Sequence, residues 1–184
     1  MIGRFTRRTV MLGLAGGLVL PAFAEAPAGS SRVVLEMLAF RQAGAPPRPM
    51  PLAPLSGVST IAGRVEMLGA DSWQLGGAKG ALVGRGGLQV LAHTAWAAIV
   101  PPNGRTTARL EDVLSEDTGL AGAVALQRSQ YLFLGVDVDY VSGVNRYGIR
   151  EKRRVKFGER HYFDHPAFGL IVQIRPGRGG AVSD

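Results

Sequence analysis

Gln130-Tyr-Leu-Phe-Leu-Gly-Val-Asp-Val-Asp-Tyr-Val141 carries the clearest periodicity in the chain. Leu132, Leu134, Val136, Val138 and Tyr140 alternate with Tyr131, Phe133, Asp137 and Asp139. A period of two with apolar residues on one side is the pattern of a half-buried β-strand. Ala121–Ser129 precedes it as a second strand. After a turn over residues 142–148, Arg150–Phe163 reads as a third and Phe168–Arg175 as a fourth. Connections this short pair neighbouring strands antiparallel.

Toward the N-terminus, Arg32–Phe40 is apolar on both faces and reads as a central strand, and Leu88–Ala98 reads as another. Pro101-Pro102-Asn103-Gly104 ends the latter as a turn. The polar stretch 105–119 holds one helical turn near Leu110–Leu114, and apolar spacing with glycine interruptions suggests a helix over 70–84. Residues 41–57 carry five of the chain's 11 prolines and read as an extended loop. The expected fold class is α+β: a largely antiparallel β-sheet meander with a helix packed on one face.

Arg4, Arg7 and Arg8, the apolar run Thr9–Leu20 and Ala22-Phe23-Ala24 together read as a cleaved secretory signal over 1–24. Thr6-Arg7-Arg8-Thr9-Val10-Met11-Leu12 also resembles a twin-arginine signal. Residues 25–184 are then expected to form a single exported domain. With no cysteine in the chain, its core must hold without disulfides. No second apolar run is long enough to span a bilayer, so no stable membrane insertion is expected.

The whole chain carries 21 basic and 14 acidic residues, +7. Removing the signal leaves 18 basic and 14 acidic, +4. Residues 145–160 hold seven basic and two acidic residues, +5, so the remainder is close to neutral. The charge is therefore a local patch. On a continuous strand, Arg150, Lys152, Arg154, Lys156 and Arg160 share one face with Tyr162 at its end, and Arg153 adds to the charge. Such a row suits an anionic polymer or an acidic protein surface. It equally suits an edge strand whose charge prevents edge-to-edge pairing. Export argues against nucleic acid as the partner.

His161, Asp164 and His165 lie within five residues and raise the question of a metal-dependent hydrolase. Pro166 and the strand pattern oppose the helix that would bring the two histidines to one face. We read the segment as a shaped turn: Asp164 accepts backbone donors, Pro166 fixes φ, and Gly169 allows the bend. No metal or other cofactor is expected. Asp137 and Asp139 are a candidate carboxylate pair, read here as solvating their face or pairing with the basic strand. No nucleophile elbow and no phosphate-binding loop is present.

Several segments resemble the CsiV family of periplasmic peptidoglycan-binding proteins. Val33–Arg41 is similar to the family's opening strand, Leu88–Trp96 to its strand with a histidine and a tryptophan, and Tyr131–Tyr140 to a later strand. Arg153-Arg154-Val155 through Glu159-Arg160-His161-Tyr162-Phe163-Asp164-His165-Pro166-Ala167-Phe168-Gly169 resembles the family signature most closely. Gln130 and Arg160 depart from it, standing where the family usually has arginine and leucine. The resemblance implies a non-enzymatic role: binding peptidoglycan and supporting its synthesis with an outer-membrane lipoprotein that activates a bifunctional penicillin-binding protein. The alternatives are the metal-dependent hydrolase and a protein-only envelope assembly factor.

Overall fold

The computed structural model describes residues 28–42, 63–84, 87–114 and 117–178. The expected leader, 1–24, and the proline-rich stretch from 43 to 57 lie outside them. Nine strands follow in order: β1 (Ser31–Gln42), β2 (Val65–Met67), β3 (Leu88–Val100), β4 (Arg105–Arg109), β5 (Leu120–Arg128), β6 (Leu132–Ser142), β7 (Asn145–Val155), β8 (Arg160–His165) and β9 (Phe168–Pro176). Two short helices, α1 (Gly76–Val83) and α2 (Leu110–Val113), and one 3-10 turn (Ala70–Ser72) complete the described elements.

The strands form two antiparallel sheets, β2-β3-β1-β9-β8 and β4-β5-β6-β7. The second runs as a meander, but only part of the expected one: β4 joins it, and the expected fourth strand, Phe168–Arg175, lies in the first sheet instead. The first is not a meander, because β1 sits between β3 and β9, which lie far from it in sequence. A strand apolar on both faces has to be covered on both, and the centre of a sheet satisfies that requirement. Leu35, Met37, Trp96, Leu170 and Val172 from the first sheet share one buried cluster with Leu126, Leu134, Val136, Val138 and Ile149 from the second. The alternation in β6 holds: Leu134, Val136 and Val138 point into this core, and cross-strand register places Phe133 and Asp137 on the outer face.

The helical part is smaller than expected. α1 buries none of its residues. The segment before it is what docks, through Leu75, which is fully buried. Leu110 and Val113 of α2 are buried as well. β2 and β4 are absent from the sequence reading, the first because it has only three residues and the second because Arg-Thr-Thr-Ala-Arg reads as polar loop.

The largest departure concerns Arg150–Phe163. It is not one strand. β7 ends at Val155, a turn with Gly158 at φ 82° follows, and β8 begins at Arg160 in the other sheet. Glycine at 158 permits the left-handed backbone that reverses the chain. The turn is docked on β9: Gly158 N–H donates to the Ile174 carbonyl at 2.8 Å, and Gln173 Nε2 donates to the Gly158 carbonyl at 3.1 Å. Likewise, the expected turn over 142–148 shrinks to Gly143-Val144, and residues 145–148 extend β7.

Candidate functional site: a cationic, aromatic end of the sandwich

Splitting the basic segment divides its cations among different jobs. Arg150 pairs opposite Asp137 on the outer face of the meander sheet. Its Nε lies 2.8 Å from Asp137 Oδ1 and its Nη2 lies 2.5 Å from Asp139 Oδ1. It also donates to the Val138 carbonyl at 3.2 Å. Asp137 is almost fully buried, and that burial pushes its carboxyl above the ordinary range, against the opposing pull of Arg150. A buried carboxylate needs a cation beside it. Arg150 and the Asp137/Asp139 pair are therefore a structural ion cluster.

Arg153 points the other way, into the seam between the sheets. Its guanidinium stands 4.1 Å over the Phe163 ring, pairs with Glu151 and donates to the Tyr162 carbonyl at 3.0 Å. One side chain thus fastens β7 to β8 without a backbone ladder between them.

Tyr162 and Arg160 lie on β8, on the outer face of the other sheet, away from Lys152 and Arg154. The Tyr162 ring is stacked at 6.1 Å and 4° to Phe40 on β1, and its hydroxyl donates to Asp164 Oδ1 at 2.7 Å. Burial first, and the Asp164 hydrogen bond second, push its phenol up to about 12. Gly169 serves this stack rather than a bend: a Cβ there would lie 2.7 Å from Phe40 Cζ and 3.2 Å from Tyr162 Cε2.

The turn His165-Pro166-Ala167-Phe168 is built by a different residue from the one expected. His165 Nδ1, not Asp164, accepts the Ala167 N–H, at 3.1 Å. Its ring packs against Tyr147 and Phe168, and burial holds its pKa below the ordinary histidine value. His161 is lowered too, by burial and then by Arg153, with Glu159 opposing. Alternation along β8 puts Asp164 on the opposite face from His161 and His165, so these three do not converge on one point. Among the described residues, no three acidic, histidine or cysteine side chains form a metal-holding group.

Three members of the basic run, Lys152, Arg154 and Lys156, remain at one end of the sandwich with aromatic company. The Arg154 guanidinium lies 3.5 Å from the centroid of Tyr131, a ring that is 40% exposed. Lys152 stands 5.3 Å over Phe133 and donates to Gln127 Oε1 at 2.7 Å. Tyr131 lines a cavity of about 320 Å³ between the sheets, together with Arg128, Leu132, Phe157, Val33 and Pro176. Phe157 is 47% exposed and is held in place by the docked turn. Lys156 precedes it and is three-quarters exposed, 4.0 Å from Glu159. Arg128 is fixed at the rim by the Ser31 hydroxyl, 2.5 Å, and the Gly29 carbonyl, 3.2 Å. Phe157 also borders a neighbouring cleft of about 830 Å³ that carries Arg32, Arg175 and Arg178.

Such an end can hold a ligand with apolar faces and carboxylates: exposed rings supply contact area, and guanidinium groups supply paired donors. Sequence reasoning named Lys152, Arg154 and Lys156, which lie at this end, but not Tyr131, Phe157 or Arg128, which lie there too. The available signal was the isolated aromatic Phe157 in a basic run, which on a strand reads as inward-facing.

It also missed a buried polar cluster. Glu36 in the middle of β1 is fully buried and accepts from Gln74 N–H at 2.7 Å, Leu75 N–H at 2.7 Å and His93 Nε2 at 2.9 Å. Arg175 Nη2 lies 3.5 Å away. The signal for it was a lone carboxylate inside the apolar run Val33–Phe40, which must find donors if it is buried.

A family model described as "Peptidoglycan-binding protein, CsiV" matches residues 53–177, which span β2 through β9 and leave out the similar-looking β1 segment. No curated protein and no solved structure matches the chain. A match over more than half of the sequence places the protein: the chain belongs to the CsiV family of peptidoglycan-binding proteins.

Proposed function

We propose that this protein is a non-enzymatic periplasmic accessory that binds peptidoglycan through the Tyr131–Phe157 end of its sandwich and supports wall synthesis and cell shape. The observation that carries this reading is Arg154 stacked on exposed Tyr131 at the mouth of a cavity that Phe157 also lines. Peptidoglycan joins amino-sugar rings to peptide stems bearing carboxylates. The rings offer apolar faces to Tyr131 and Phe157, and the carboxylates offer partners to Arg154, Lys156 and Arg128. The leader over 1–24 would export residues 25–184 as a single domain. A lipoprotein activator of a bifunctional penicillin-binding protein is the partner that the family resemblance suggests.

The test is co-sedimentation of the full chain with purified sacculi at low and high salt. The variants are Tyr131→Ala/Phe157→Ala and Arg154→Glu/Lys156→Glu, each checked for folding by circular dichroism. Arg150 is left intact because the buried Asp137 depends on it. Pelleting that weakens with salt and is lost in both variants supports the reading, since exposed charge pairs are screened. Wild-type protein left in the supernatant at low salt overturns it.

A further inference from the structure

A second cavity, of about 400 Å³, lies beside β3, well away from the Tyr131 end. Its wall includes Val90 through Thr94 of β3, Met67 of β2, Trp73, Lys79 of α1, and Leu114. Three features set it apart from an ordinary surface hollow.

The first is His93. Its side chain is only 4% exposed, and its Nε2 faces the Glu36 carboxylate at 2.9 Å. That carboxylate accepts, so Nε2 carries the proton, and a neutral ring then leaves Nδ1 as a lone-pair acceptor. Nδ1 is buried and has no hydrogen-bond partner. A buried polar atom without a partner is rare and asks for a donor. The second is the edge of β3. β2 pairs with it only from Trp96 to Ala98, and Leu68 adds one bond to the Ala95 carbonyl. No described strand pairs with that edge from Leu88 to Thr94. The third is the lining itself. Trp73 packs against His93 at 4.2 Å between ring centroids, Met67 is half exposed, and Lys79 has no ionic partner among the described residues.

We propose that this cavity binds a short extended peptide carrying a free amine and a carboxylate, laid along β3 as a partial extra strand. The backbone of β3 supplies ladder hydrogen bonds, in the manner of strand addition. His93 Nδ1 accepts from the ligand's amine or amide, Lys79 meets its carboxylate, and Trp73 and Met67 cover its aliphatic chain. In peptidoglycan the matching part is the stem peptide, so the identity of the ligand rests on the wall-binding reading above.

Tryptophan fluorescence reads this site. The chain has two tryptophans; Trp96 is sealed in the core and Trp73 lines the cavity. The full chain is titrated with purified stem tetrapeptide free of sugar, and with the same peptide acetylated on its amine. The expected result is a saturable change in emission that disappears in Trp73→Phe. It weakens about tenfold in Lys79→Gln and in His93→Gln, which keeps the donor toward Glu36, and about tenfold with the acetylated peptide. No change on titration, or a change equal in all variants and with the acetylated peptide, overturns the proposal. Sacculus pelleting run in parallel separates the two readings. Pelleting without a peptide response removes this site and leaves wall binding, whereas a peptide response without pelleting keeps this site and removes wall binding at the Tyr131 end.

Discussion

Replacing Arg150 with alanine should damage the fold rather than a binding surface. Arg150 is the cation that faces Asp137 and Asp139, whose side chains are 6% and 13% exposed, and its own side chain is 25% exposed. Removing one partner of a buried pair costs about 3–5 kcal/mol, because the other charge stays buried without compensation. The partial exposure of Arg150 puts the expected loss near the low end, about 3 kcal/mol. With a urea m-value of about 2 kcal/mol/M, the unfolding midpoint should fall by about 1.5 M at unchanged slope. The assay is urea denaturation of wild type, Arg150→Ala, Asp137→Asn and the double variant. The neutral amide of Asp137→Asn needs no cation, so Arg150→Ala should be about 2 kcal/mol less damaging in that background.

The pH dependence has a definite sign. The carboxyl of Asp137 is raised in the folded protein, chiefly by burial, so the native state holds this proton more tightly than the unfolded chain. Stability therefore falls as pH rises from the ordinary aspartate value, about 3.9, through the raised one. Without Arg150 the carboxyl rises further and that window extends upward. The deficit of Arg150→Ala should thus shrink as the pH falls through that extended window, from the variant's further-raised carboxyl down to the raised carboxyl of the wild type. Equal losses in the wild-type and Asp137→Asn backgrounds, unchanged with pH, would refute the reasoning. The result also bears on function: wall-binding assays with Arg150 variants would report unfolding.

Tyr162, raised to about 12, should ionise late in a spectrophotometric titration, and Tyr162→Phe should remove that step. Its stabilising share is full below about pH 10 and is lost as pH climbs through about 12. His165 runs in the opposite direction. With a lowered pKa it stays neutral in the fold while the unfolded chain takes up a proton, so stability falls as pH drops from about 6.5 through the lowered value. His165→Asn, which still offers an oxygen to the Ala167 N–H, should flatten that part of the stability–pH curve. Gly169→Ala should lose about 1–3 kcal/mol in thermal or urea unfolding, because its methyl group would push on buried Phe40. Glu36→Gln should lose about 3 kcal/mol and loosen residues 73–75 in hydrogen exchange, since an amide cannot accept from all four surrounding donors.

Much of the strand content could be read directly. The alternation of Leu132–Tyr140 and the apolar run Val33–Phe40, interrupted only by Glu36, each follow from what their faces must bury, and both segments are strands of the expected kind. The segment 150–163 misled, because arginine and lysine at every second position look like one continuous face whether or not the chain turns. Only Gly158 marks the break, and a single glycine in a strand pattern is an ambiguous sign. The missed β4 has the same cause in reverse: Thr107 is buried there by its neighbours in the sheet and by nothing visible in Arg105–Arg109 itself.

The expected helix on one face could not be sustained, whereas largely antiparallel strands, one concentrated basic segment and a CsiV-like signature could all be read from the amino-acid order. Those properties are local: side-chain period, composition and residue order carry them without reference to distant parts of the chain. Which cations the fold itself engages depends on packing between distant parts of the chain. Arg150 is drawn to Asp137 and Asp139 across a strand pair, Arg153 into the seam over Phe163, and Arg160 to the other sheet's face, while Arg154 lies over Tyr131. The pairing of His93 with Glu36 likewise spans 57 positions. Such partnerships depend on register and on which sheet a strand joins, and the packing of one core decides both.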